Sequence, residues 1–178
     1  MRLSRIVPAR VYSSPLKRAF HTAEIIMENN SGDTVIDSRD DLMEISFGLW
    51  EGLTVPEIKE VDAVGYEAWS KTPFSAVPGG GESLEEVGAR TCRCAKMMKE
   101  AGGPGDVTFV VAHAVVLRAL IAALMDIEGI SLFWRLRFDN CSISVLDMWG
   151  TRPSLLLTND THHIRLKDEE IRLLTFPE

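Results

Sequence analysis

The chain has 178 residues, of which 46% are apolar and 25% charged, the proportions of an ordinary globular protein. At about 150 residues per domain this length predicts one domain over 1–178, able to bury around 70% of its unfolded surface without disulfides or metal. Lysine plus arginine total 19 against 26 acids, a net charge of −7, and no basic block occurs. Nucleic acid is therefore excluded as an expected partner, although a local group of cations could still hold one small anion.

Ala9 to Ser13 reads as a short strand ending at Ser14-Pro15. A serine before proline suits the start of a helix, which is expected from Pro15 to Met27 with Ala19, Ala23 and Ile26 on one face. The polar run Asn29 to Gly32 ends it, and Thr34 to Ile36 reads as a second strand. Ser38 to Leu53 lacks periodicity and is expected to be a structured loop. Pro56 to Lys71 reads as a broken helix, and Val77 to Gly81, with three successive glycines, as another loop.

Ser83-Leu84-Glu85-Glu86 forms a capping box. Behind it Leu84, Val87, Thr91, Cys94 and Met98 recur at three- and four-residue steps, which predicts an amphipathic helix. Val107 to Ala112 has the β-branched apolar composition of a strand interior to a sheet, and Val115 to Met125 reads as a helix. Together these two form the most apolar stretch, but His113 and Arg118 interrupt it, so no membrane span is expected. Ser142 to Trp149 and Ser154 to Thr158 read as two strands around a turn. Helices alternating with short strands predict an α/β fold with a mostly parallel sheet. No signal peptide is recognised, and Cys92, Cys94 and Cys141 are expected to be reduced, mostly buried thiols, which points to a cytoplasmic protein.

Three residues carry candidate chemistry. His113 lies where an apolar strand meets a helix, the place where open α/β sheets put ligand crevices. It could be a satisfied core histidine or an imidazole facing an anion near a helix N-terminus. Arg18, one turn into the first helix, could be a solvated cation or a guanidinium gripping phosphate. Glu44, between Met43 and Ile45, could be an idle loop carboxylate or a general acid in an apolar setting. Asp160, His162 and His163 give a poor metal set because adjacent strand residues point to opposite faces; no metal and no cofactor are expected.

The flanking residues fall into a familiar order. Ser13-Ser14-Pro15-Leu16-Lys17-Arg18-Ala19 followed by Thr22-Ala23, Glu44 through Gly52 with Phe47-Gly48 and Trp50-Glu51-Gly52, Pro78-Gly79-Gly80-Gly81-Glu82-Ser83, Val110-Val111-Ala112-His113, Asn140-Cys141-Ser142 and Leu157-Thr158-Asn159-Asp160-Thr161 resemble, in sequence, six motifs of the histidine phosphatase superfamily, the phosphoglycerate mutase-like proteins. The third motif has one extra glycine, and Ala114 stands where the family usually has glycine.

That resemblance implies a three-layer α/β sandwich and phosphomonoester hydrolysis through a phosphohistidine, with a small phosphate ester as the partner molecule. By position, Arg18 would bind phosphate, His113 would be the second histidine, binding phosphate and assisting catalysis, and Glu44 would be the catalytic acid. The family's nucleophile belongs to an R-H-G motif ending its first strand. No histidine precedes Ser13 here, so the expectation is a domain lacking that strand and inactive as given. A homodimer that fills the gap, a non-catalytic phosphate-ester-binding or assembly protein, and a phosphoglycerate mutase stand as alternatives. The short segment between Glu51 and Ser83 argues against the mutase. Trp50 and Trp69, near that segment, could line a substrate pocket or simply pack.

Overall fold

The computed structural model describes residues 2–127, 135–148 and 152–164. Strand β1 (Arg10–Ser13) leads into helix α1 (Lys17–Glu28) and strand β2 (Ile36–Ser38). Helices α2 (Val55–Val61), α3 (Ala63–Lys71) and α4 (Leu84–Ala101) precede strand β3 (Thr108–Val111) and helix α5 (Ala114–Leu124). Strands β4 (Ile143–Asp147) and β5 (Ser154–Asp160) complete the described elements.

The strands β2, β1 and β3 form a parallel sheet in that order, with Val11 opposite Ile36 on one side and Phe109 on the other. β1 is central and three of its four residues are buried. Right-handed crossovers to strands on opposite sides of β1 put α1 on one face and α4 on the other. Tyr12 accordingly packs with Leu42, Cys94, Ala95 and Leu120, the core that joins the sheet to α4 and α5. Burial there pushes the Cys94 thiol up to about 11, so it is unreactive. The α/β architecture with a parallel sheet is the one expected.

Several local expectations shift. β2 starts at Ile36, two residues late, because register with Val11 to Ser13 decides its pairing while the Thr34 hydroxyl is taken by the Pro8 carbonyl at 2.6 Å. Leu16, not Ser14, is the N-cap of α1; the Ser14 Oγ accepts from the Leu16 N–H at 3.2 Å just ahead of the helix. The 38–53 loop contains two 3-10 turns, Asp40–Leu42 and Gly48–Trp50. The broken helix divides at Asp62, whose carboxylate accepts from the Gly65 N–H and from the Trp50 indole N–H at 3.1 Å. The capping box forms as read, with Ser83 and Glu86 exchanging hydrogen bonds.

β3 is not interior. Among the described residues it pairs only with β1, and β4 and β5 form a separate antiparallel pair. The expectation of mostly buried thiols also fails: Cys92 and Cys141 are exposed and only Cys94 is buried. No helix among the described residues is long and apolar enough to cross a membrane. The turn joining β4 to β5 falls partly outside the described residues.

Candidate active site

The site forms where β1 and β3 end side by side. Ser13 lies opposite Val111, so the chain leaves β1 at Ser14 and leaves β3 at His113 on the same edge of the sheet. His113 is the N-cap residue of α5 and is 8% exposed. Arg18 reaches it from the first turn of α1: its Nε donates to His113 Nδ1 at 3.2 Å. A guanidinium can only donate, so Nδ1 holds the lone pair and the neutral ring carries its hydrogen on Nε2. Nε2 then donates to the Ser14 Oγ, 2.9 Å away and fully buried. Burial, and after it the cations Arg18 and Arg90, pushes the His113 pKa down to about 4. The ring is neutral near pH 7.

The remaining Arg18 donors face outward. Its terminal nitrogens have no hydrogen bond among the described residues, and the side chain is exposed at the helix start. Glu44 comes from the other side. One carboxylate oxygen accepts from the Ile45 N–H at 3.1 Å and the Val116 N–H at 3.4 Å, and the other lies 3.5 Å from the Val115 N–H. Val115 and Val116 belong to the first turn of α5, whose unpaired amides favour anions. The setting differs from the apolar one expected: Met43 turns outward, only Ile45 is buried, and amide donors surround the carboxylate.

The structure thus brings Arg18 and His113 into contact and puts Glu44 on the helix that His113 begins. Sequence reading overlooked three participants. Ser14 was read as a helix cap but holds His113. Arg90, on α4, lies close enough to lower the His113 pKa. Arg118, one turn further along α5, interacts electrostatically with Glu44 and donates to the Leu136 carbonyl at 2.8 Å. The signal available for Arg90 was its place on the buried helix stripe, one residue before Thr91 and three after Val87.

The other histidines lie apart from this contact. His21 is 73% exposed on α1 and pairs with Glu24, while His162 pairs with Asp160 at 2.8 Å. Among the described residues no group of three or more metal-binding side chains forms. Trp50 is buried, and Trp69 meets Phe47 edge-on at 5.8 Å, so both pack.

Residues 1–161 match the model of the histidine phosphatase superfamily, branch 1. The chain belongs to this superfamily. Phosphoserine phosphatase 1 of Hydrogenobacter thermophilus is 34% identical over 154 residues, 86% of this chain and 71% of that protein. Against a bifunctional protein of Mycobacterium tuberculosis, also 34% identical, the chain spans only 42% of the relative's length. The alpha-ribazole phosphatase of Shigella flexneri superposes with a TM-score of 0.76 at 26% identity, over 87% of this chain and 75% of that one. A mycobacterial glucosyl-3-phosphoglycerate phosphatase gives 0.74 at 28%, over 89% and 79%. These likenesses agree with the fold and with a phosphatase of the histidine type.

Proposed function

We propose that this histidine phosphatase chain binds small phosphate monoesters where β1 and β3 end and, once a nucleophilic histidine is added, hydrolyses them through a phosphohistidine. Arg18 and His113 would hold the phosphoryl oxygens and Glu44 would protonate the leaving oxygen. The observation that carries the reading is the Arg18–His113 contact, which gathers an imidazole and a guanidinium whose terminal nitrogens make no hydrogen bond among the described residues where β1 and β3 end. Phosphoryl transfer needs this kind of oriented positive charge around equatorial oxygens. A neutral His113 becomes a better donor as the phosphate dianion approaches and favours its protonated form. Relatives named for phosphoserine and glucosyl-3-phosphoglycerate hydrolysis support a small phosphate ester as substrate.

Among the described residues none of the other three histidines, His21, His162 and His163, hydrogen-bonds to His113 or Arg18. The nucleophile would come from a strand along the outer edge of β3, where Thr108 and Val110 direct their backbone groups away from β1. A second copy of the chain in a homodimer could cover that edge, but it carries the same four histidines and would not itself bring the nucleophile. We propose a cytoplasmic protein in which residues 1–178 fold as one histidine-phosphatase-like domain. A second reading, a phosphate-ester-binding protein without turnover, draws on the same placement of the histidines.

The 178-residue chain should bind inorganic phosphate in calorimetry, weakened at least about tenfold by Arg18→Ala, the scale of one lost charged hydrogen bond. It should not hydrolyse an aryl phosphate unaided. Turnover abolished by His113→Ala would overturn the need for an added nucleophile, and absence of phosphate binding would overturn the site itself.

A further inference from the structure

The glycine-rich turn has no part in the chemistry above, and the helix behind it enters only through the charge of Arg90 on His113, yet together they enclose the segment that carries Glu44. Arg90 Nε and Nη2 donate to the two Glu82 carboxylate oxygens at 2.7 and 2.9 Å. The third nitrogen, Nη1, donates to the Asp41 backbone carbonyl at 2.8 Å. At the other end the Glu82 backbone N–H donates to the Ser46 carbonyl, also at 2.8 Å. One ion pair therefore grips the chain three residues before Glu44 and two residues after it.

The glycines allow this approach. A Cβ on Gly81 would lie 2.2 Å from the Ser46 carbonyl oxygen, and one on Gly79 would lie 2.5 Å from that of Phe47. Only a turn without side chains can rest against residues 46 to 48 so closely.

Burial argues that the pair is there for geometry. The side chains of Arg90 and Glu82 are 11% and 22% exposed. Desolvating such a pair costs about what its attraction returns, so an apolar pair would serve stability as well. What a forked guanidinium adds is direction, three bonds fixed in one plane. Lysine could supply the charge but not the fork.

We infer that Glu82 and Arg90 are positioning residues which set the Glu44 carboxylate on the first turn of α5. The inference rests on the reading of Glu44 as the acid, but the placement itself can be measured separately. Leu42 and Ile45, buried on either side of Glu44, are the competing explanation, since they could anchor the segment alone.

The test uses the 178-residue chain and Arg90→Lys, which keeps the charge beside His113. Amide hydrogen exchange at Ile45, Val115 and Val116, the donors to Glu44, should accelerate about tenfold, while Val11 and Val110 in the sheet change less than about twofold. The Glu44 carboxyl carbon signal, assigned by its loss in Glu44→Gln, should move toward that of exposed glutamates. Glu82→Gln, a milder change that keeps size and fold, should shift the same three amides in the same direction. Unchanged exchange at the three amides in both variants would overturn the inference in favour of the Leu42 and Ile45 anchors. Equal acceleration throughout the sheet would overturn it as well, leaving the pair a purely structural role. Calorimetry with inorganic phosphate keeps the two readings apart: a wild-type chain that fails to bind phosphate sinks the proposed function, while the amide pattern still decides the clamp.

Discussion

β1 is paired along both edges and buries Val11, Tyr12 and Ser13, whereas among the described residues β5 is paired along one edge and alternates exposed and half-buried residues until Asp160. The two strands belong to differently built regions. Around β1, apolar side chains from α4 and α5 form two clusters that both reach Ala112, one residue before His113, and one of them holds Ile45, the neighbour of Glu44. The β4–β5 pair leaves Val145, Met148 and Leu156 exposed. Polar contacts tie it to the rest: Arg2 pairs with Asp160, and Asn159 holds Asp139 in the segment whose Leu136 carbonyl accepts from Arg118. A two-stranded pair is marginal by itself. The difference separates a region whose stability is hydrophobic from one whose attachment is electrostatic.

The largest expected effect tests the first half of that contrast. Leu120 is 2% exposed between the sheet and α4, and Leu120→Ala should cost about 3–5 kcal/mol in denaturant unfolding. Leu156, 65% exposed on β5, should cost less than about 0.5 kcal/mol when cut to alanine. Equal costs would mean that the two regions share one core and would break the comparison.

A smaller effect comes from His113. Folding lowers its pKa from an ordinary 6.5 to about 4, chiefly by burial and then through Arg18 and Arg90. The unfolded chain therefore binds the proton more readily. The stability tied to the neutral ring is complete above pH 6.5 and is lost as the pH falls from 6.5 toward 4. At about 1.4 kcal/mol for each tenfold change in proton affinity, the loss reaches about 3 kcal/mol at most. Urea unfolding at pH 7 and pH 4.5 should show it, and His113→Gln should flatten the profile. An equal slope in the variant would show that other groups set the acid sensitivity.

Much of the β1 region was legible in sequence because local and tertiary signals agree there. The capping box at Ser83 and the apolar run before His113 predicted α4 and β3, and the position of His113 at the strand's end was correct. Arg18 and Glu44 were found through neighbouring residues in a familiar order, since a lone cation on a helix or acid in a loop has no local signature. What could not be read depended on distant partners. Ser14 favours a helix cap from its neighbours, but His113, 99 residues away, takes its hydroxyl. Arg90 looks like one more cation on a helix until the fold brings Glu82 and Asp41 to it. The start of β2 was missed because pairing register, not composition, selects Ile36 to Ser38. The apolar composition of β3 reports how its faces are covered and carries no signal for which of its edges is paired.

The smallest effect sharpens the second half of the contrast. Asp160 is a buried residue that accepts from the His162 backbone N–H at 2.9 Å, from the His162 ring at 2.8 Å and from Arg2. The His162 contacts, the backbone one first, and then Arg2 hold its carboxyl down to about 2. A depressed carboxyl contributes its stability above its ordinary value near 4 and loses it as the pH falls toward 2. Arg2 is 41% exposed at its side chain, so Arg2→Ala should hardly move the midpoint of global unfolding. It should instead raise amide exchange at His162 and along β5, with β1 unaffected, and added salt should do the same to the wild-type chain. If exchange in β1 rose together with β5, the ion pair would be supporting the core. If neither strand responded, the Arg118 contact would be the attachment that holds the pair of strands in place.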